Sequence, residues 1–190
     1  MRVALLSHNA PAGDAVGNQV ADKLAFFLDR GADVRVFVES DQRLHPAVRP
    51  HCRTLPAPEP RGEGWRFLSS ADLVVVEYGQ YYRLLELLPL LGGGRGRILF
   101  DYHGVTPPEF WPSHNREAIE AGVRHRGLVW CADAALTHSQ FTRRELEEAS
   151  GFPPERLFGL GYPIDRDHFG PGAPGRRTVA ATPRAGRAGR

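Results

Sequence analysis

Short apolar runs recur along this 190-residue chain and alternate with segments whose apolar residues return at helical spacing. That alternation leaves few folds open. The runs are Val3 to Ser7, Val34 to Val38, Leu73 to Val76, Ile98 to Phe100, Ala134 to Thr137 and Leu157 to Leu160. Most are continuous rather than alternating apolar with polar, as strands buried on both faces are. Between the first two, Val16, Val20, Leu24 and Phe27 keep the helical period; Asp14 offers an N-cap and Gly31 a closing C′ glycine. Strand, helix and strand within forty residues imply a parallel pair with a right-handed crossover. Repeated along the chain, the pattern predicts an α/β protein with a doubly wound, mostly parallel Rossmann-like sheet.

The other segments are less regular. Ser40 to Gly64 holds five prolines and reads as a long surface connection, with a short strand near Cys52 to Leu55. Trp65 to Ser70 fits one helical turn. Tyr82 to Leu91 reads as a helix whose last turn Pro89 disturbs, and the glycines from Gly92 to Gly96 end it. Asn115 to Ala132 reads as a helix, and Ser139 caps another that Gly151 stops. Beyond Gly170 the sequence is Gly, Pro, Ala, Arg and Thr with one valine. It has nothing to bury and is expected to be disordered from about Gly172. Residues 1–169 are thus one domain and 170–190 a low-complexity tail.

Composition removes several classes of function. Apolar residues make up 42% of the chain, enough for an ordinary core. The net charge of +2 is a property of the tail: five arginines and no acid lie from Arg176 onward, leaving 19 bases against 22 acids before it. Nothing there asks for nucleic acid as a partner. Cys52 and Cys131 give neither a disulfide framework nor metal-ligand spacing. The start of the chain is too short in apolar residues for a secretory signal, and no run approaches a membrane span. A cytoplasmic location is expected, with peripheral association at the inner membrane face left open.

The stretch Arg97 to Trp111, RILFDYHGVTPPEFW, carries the chemistry. A buried strand delivers His103 to its carboxyl end, and Pro107-Pro108 then forbids helix and strand. Open α/β sheets bind ligands outside those ends. His8, Glu39, Glu77 and His138 also follow strand-like runs, so in a parallel sheet they share one rim. Three uses compete. A zinc site could take His8, His103 and His138, but no ligand spacing supports it and strand ends that are not neighbours lie too far apart. A dinucleotide site could use Gly13-x-x-x-Gly17 with Glu39 on a ribose, although G-x-G-x-x-G is absent. Alternatively, the Gly13 turn at a helix N-terminus could offer N–H groups to an anion, such as the diphosphate of a sugar nucleotide.

Gly13-Asp14-Ala15-Val16-Gly17-Asn18, followed by Gly31-Ala32-Asp33-Val34, resembles the start of a family-4 glycosyltransferase. Tyr102-His103-Gly104-Val105-Thr106-Pro107-Pro108-Glu109-Phe110 resembles the "YHN-I-TPPEF" stretch of one bacterial branch, with Gly104 in place of Asn. His138-Ser139-Gln140-Phe141, leading to Glu145-Leu146, is similar to its "S-x-F-x-x-x-E-L" helix start. Pro163-Ile164-Asp165 with Phe169 resembles the exit to a second domain. Glu77 stands where that branch often has histidine.

The resemblance implies one half of a GT-B fold, the acceptor-side domain, and retaining transfer from a nucleotide-sugar donor without metal or other cofactor. The acceptor would be a carbohydrate or a lipid-linked one. His103 would be catalytic, facing the donor sugar; Gly13, Asp14, Gly17, Asn18, Glu77, Glu109 and Ser139 would contact substrates. No second β-α repeat and no Glu-x7-Glu follow Phe169. The expectation is therefore an incomplete enzyme, inactive alone, that works with a separate carboxyl-terminal domain. A non-catalytic carbohydrate- or nucleotide-binding module and an NAD-type Rossmann protein are the alternatives.

Overall fold

The computed structural model describes residues 1–55, 57–110 and 116–162. The expected tail disorder and the exit motif from Pro163 lie outside the described residues. Seven strands form one sheet: β1 (Arg2–Ser7), β2 (Asp33–Val38), β3 (Cys52–Thr54), β4 (Leu73–Tyr78), β5 (Arg97–Tyr102), β6 (Ala134–Thr137) and β7 (Leu157–Gly159). Their order is β3-β2-β1-β4-β5-β6-β7, and every pairing is parallel. The chain builds outward from β1 to β3, then returns to lay β4 on the other side of β1. That reversal is the topological switch point at which such sheets hold ligands.

Among the described residues five helices connect the strands: α1 (Ala15–Leu28), α2 (Gly62–Leu68), α3 (Leu88–Leu91), α4 (Arg116–Arg124) and α5 (Gln140–Ser150). Register sorts the side chains into two layers. Val3, Leu5, Val34, Val36 and Val75 face Val20, Ala21 and Leu24 of α1, with Leu44 and Val48 of the proline-rich connection. Ala4, Leu6, Val76 and Phe100 point the other way, into a cluster with Phe67, Leu84, Ile119 and Leu146. Both sheet faces are buried, which is why the strands read as continuous apolar runs. Among the described residues no helix is long and apolar enough to cross a membrane.

Several boundaries differ from the sequence reading, each for a local reason. The Tyr82 to Leu91 segment is a 3₁₀ turn over Arg83–Leu87 followed by α3, with Pro89 in the first turn of α3, where its missing N–H costs nothing. The segment expected as a helix from Asn115 to Ala132 is α4 followed by a 3₁₀ stretch, His125–Cys131, that contains Gly127. The helix expected from Trp65 begins earlier, at Gly62. β4 runs through Glu77 to Tyr78 instead of stopping at Val76. A carboxylate inside a buried strand requires a partner, and it has one.

Candidate active site

Glu77 and Asp101 are register partners on β4 and β5, so their side chains leave the same sheet face. That face is the one α1 covers, and α1 supplies the counter-charge. Lys23 Nζ lies 2.7 Å from both Glu77 carboxylate oxygens and 2.5 Å from Asp101 Oδ2. Glu77 is 2% exposed and Asp101 0%. Burial works against the charged form of Lys23, but attraction and hydrogen bonds from Glu77 and Asp101 outweigh it and hold its pKa above the ordinary value. Burial likewise pushes Asp101 upward. The hydrogen bond with His138 and the Lys23 charge overcome this and bring it down to about 2.

Two imidazoles stand on this carboxylate pair. His103 Nε2 is 2.8 Å from Glu77 Oε2, and His138 Nε2 is 2.6 Å from Asp101 Oδ1. The His103 and His138 side chains are 5% and 2% exposed. Their rings stack at 4.9 Å with an interplanar angle of 11°, and Tyr162 stacks on His138 at 4.1 Å. The Tyr162 hydroxyl is 3.4 Å from His103 Nδ1. Because the Glu77 carboxylate only accepts, His103 donates to it from Nε2; in a neutral ring Nδ1 is then the acceptor.

His103 and Glu77 line an open cavity of about 430 Å³ together with Ser7, His8, Asp14, Gln80 and Thr106. It occupies the switch point between the ends of β1 and β4. A second cavity of about 360 Å³ adjoins it, shares His8, Gln80, Tyr82 and Ile119, and leads to Glu39 and Arg83.

The residues singled out from sequence fall into separate places. His103, His138 and Glu77 meet at the carboxyl edge of the sheet. His8 lies at the same edge but apart, its Nδ1 3.7 Å from a Glu39 oxygen; that oxygen also accepts the Arg83 N–H at 2.9 Å. Asp14 lines the cavity and caps α1, accepting from the N–H groups of Val16 and Gly17 at 3.0 and 3.1 Å. Any anion at this helix end competes with that carboxylate. Gly17 is buried; a Cβ there would meet the Pro11 carbonyl oxygen at 2.0 Å. Close packing of the first loop on the helix therefore requires the glycine. Gly13 and Asn18 are exposed, as is Glu109 in the turn after the proline pair. Ser139 caps α5 in a capping box with Thr142.

The distance argument applies to His8, which lies apart, but not to His103 and His138, because β5 and β6 are neighbours and the two rings stack. Asp101, His103 and His138 present ligand atoms within 4.8 Å of one another. Even so, both Asp101 oxygens are engaged, and a metal ion there would face the Lys23 ammonium.

Lys23, Asp101 and Tyr162 are the members that sequence reasoning missed. Lys23 could have been found: it falls between Val20 and Phe27 on the apolar stripe of the first helix, where a charge must be paired. Asp101 sits among apolar strand residues and carries the same signal.

No family model matches the sequence, and no curated protein sequence matches it. Solved structures do. An α-glucosyltransferase in complex with UDP-glucose and DNA containing an abasic site superposes with a TM-score of 0.61 at 14% identity, over 88% of this chain and 44% of that one. The same enzyme type in complex with UDP gives 0.59 at 14%, over 87% and 45%. HepE of Anabaena in complex with UDP gives 0.57 at 16%, over 88% and 45%. The fold is one half of a GT-B chain. Accordingly, the chain spans less than half the length of the glycosyltransferases it resembles, and its seven-stranded parallel sheet matches one of their domains.

Proposed function

We propose that this chain is the acceptor-side domain of a family-4-like retaining glycosyltransferase, with His103 facing the donor sugar. The observation that carries the reading is the buried Lys23–Glu77–Asp101 frame, which fixes His103 beside a cavity at the switch point. A frame with this many buried charges costs desolvation that a purely structural core avoids. Its product is an imidazole held in one tautomer, with Nδ1 directed away from the frame. A neutral Nδ1 accepts a hydrogen bond from a hydroxyl, the group that a sugar offers in abundance.

In this reading Gly13 and Gly17 shape the first loop beside acceptor and diphosphate, with Asp14 and Asn18 at its helix end. Glu77 acts through His103. Glu109 and Ser139 are assigned further substrate contacts in this reading. The acceptor is a carbohydrate or a lipid-linked one, and the location is cytoplasmic or at the inner membrane face. Departure of a nucleoside diphosphate needs fixed cations and helix N-termini, each typically worth about 10²–10³ in rate. The reading assigns most of these to a second domain that closes over the donor and supplies the proximity term.

The test is a titration of the chain with UDP- and GDP-sugars, followed by transfer assays with the chain alone and joined to a matching second domain. UDP-sugars come first, because the similar structures hold UDP or UDP-glucose. Weak donor binding and no turnover are expected of the chain alone. Transfer is expected from the joined protein, reduced by His103→Ala with the fold intact. Robust turnover by residues 1–190 alone refutes the half-enzyme reading, and tight NAD binding favours a dinucleotide protein.

A further inference from the structure

The hydrogen bonds of His138 are not those of a neutral imidazole. Its Nε2 faces Asp101 Oδ1 at 2.6 Å, and its Nδ1 faces the Leu160 carbonyl oxygen at 2.8 Å. A carbonyl oxygen only accepts. The Asp101 carboxylate also only accepts, because its other oxygen already receives the Lys23 ammonium. A neutral ring carries one N–H and would point a lone pair at one of these oxygens, inside a pocket where its side chain is 2% exposed. We infer that His138 is held as a doubly protonated imidazolium, a fixed buried cation whose role is to keep the neighbouring His103 neutral.

Charge balance supports the assignment. The groups that face one another here are Lys23 from α1, Glu77 from β4, Asp101 from β5, His103 and His138 beyond the ends of β5 and β6, and Tyr162 beyond β7. Two carboxylates are matched by Lys23 and one imidazolium. A second imidazolium would leave a net positive charge and set two like charges 4.9 Å apart in parallel stacked rings. A single one is neutralised, and it lies under the Tyr162 ring at 4.1 Å, within cation–π range. His138 and Lys23 are thus positioning residues, and His103 presents a lone pair on Nδ1. The use of that lone pair rests on the glycosyl-transfer reading, whereas the protonation states do not.

Nuclear magnetic resonance of the full chain, isotope-labelled at the nitrogens of its eight histidines, tests this without any sugar nucleotide. His138→Gln and His103→Gln assign the two signals. At about pH 8 a free imidazole is neutral. There, both His138 ring nitrogens are expected to show the protonated pattern, while His103 shows Nε2 protonated and Nδ1 bare. Asp101→Asn is expected to return His138 to a single proton. Lys23→Met removes one cation, and His103 is then expected to take up a proton in mild acid, where the wild-type His103 keeps Nδ1 bare, turning its Nδ1 from acceptor to donor. A merely structural lysine would not move that signal. A neutral His138 tautomer in the wild-type spectrum at about pH 8 overturns the inference, as does an unchanged His103 signal in folded Lys23→Met. Should Lys23→Met not fold, the wild-type spectrum decides alone. Donor titration judges the glycosyl-transfer reading separately.

Discussion

Replacing Lys23 by Met keeps most of the apolar stem and removes only the ammonium. Three contacts of 2.5–2.7 Å vanish, and two carboxylates that are 2% and 0% exposed remain side by side. Removing one partner from a buried ion pair typically costs about 3–5 kcal/mol, because the remaining charge is buried without compensation. For a chain of this size each kcal/mol moves Tm by about 2–4 °C, so a fall of roughly 6–20 °C is expected. Urea denaturation of the wild type, Lys23→Met, Glu77→Gln and the double variant measures it. Glu77→Gln keeps an acceptor for His103 and removes one orphaned charge, so the double variant should lose less than the two single losses added. The deficit of Lys23→Met should shrink in mild acid, where a proton taken up by the cluster replaces the missing cation. A loss under about 1 kcal/mol at neutral pH, the scale of an exposed ion pair, would refute the claim that this triad is a buried charge-balanced unit.

Three further outcomes follow from the same geometry. Burial pushes Asp101 up, but the His138 hydrogen bond and the Lys23 charge outweigh it and hold the carboxyl below its ordinary 3.8, at about 2; the stability it contributes is therefore present above about pH 4 and lost as pH falls toward 2. Acid unfolding followed by circular dichroism should show this loss, and Asp101→Asn should remove that part of the pH dependence. Gly17→Ala drives a methyl into the Pro11 carbonyl oxygen at 2.0 Å and should cost about 1–3 kcal/mol, read by denaturant midpoint. Gly104 has φ +86 and its absent Cβ would lie 3.1 Å from Thr142 Cγ2. Asn enters the left-handed region more readily than Ala, so Gly104→Asn should be less destabilising than the smaller Gly104→Ala, and the reverse ranking would count against the strain argument.

The sheet was legible because both of its faces are buried. Continuous runs such as Leu73 to Val76 have no other common use at that length, and α1 announced itself through Asp14, the period of Val16, Val20 and Leu24, and Gly31. Strand ends were less legible. Glu77 and Asp101 lie within β4 and β5, and a reader of sequence stops a buried strand at its first carboxylate because the compensating lysine is 54 residues away from one and 78 from the other. The substitution of Gly104 for the Asn of the resembled family looked like a departure from pattern. With φ at +86 it is the exchange of one residue tolerant of positive φ for another. His103 was legible from its place after a strand; its partnership with His138 needed the β5–β6 adjacency that spacing alone does not give.

The reach of Lys23 follows from helix geometry as much as from charge. α1 begins at the carboxyl edge, since the loop leaving β1 feeds it, and it runs back along the sheet. Lys23 is eight residues from Ala15, about 12 Å down the axis at about 1.5 Å per residue, level with the sheet interior rather than its rim. Side chains on a helix lean toward its N-terminus, so the four-carbon stem of Lys23 points back toward the edge and brings its ammonium under Glu77 and Asp101. A shorter cation, such as ornithine-length or histidine, would stop short, and an arginine fork would need more width than three oxygens at 2.5–2.7 Å allow. One lysine in the third turn can therefore serve two strands at once. The same lean leaves the first turn of α1 free to shape the cavity through Asp14 and Val16. The helix thus divides its work: its start forms the wall of the cleft, and its middle supplies the charge that holds the histidines in place.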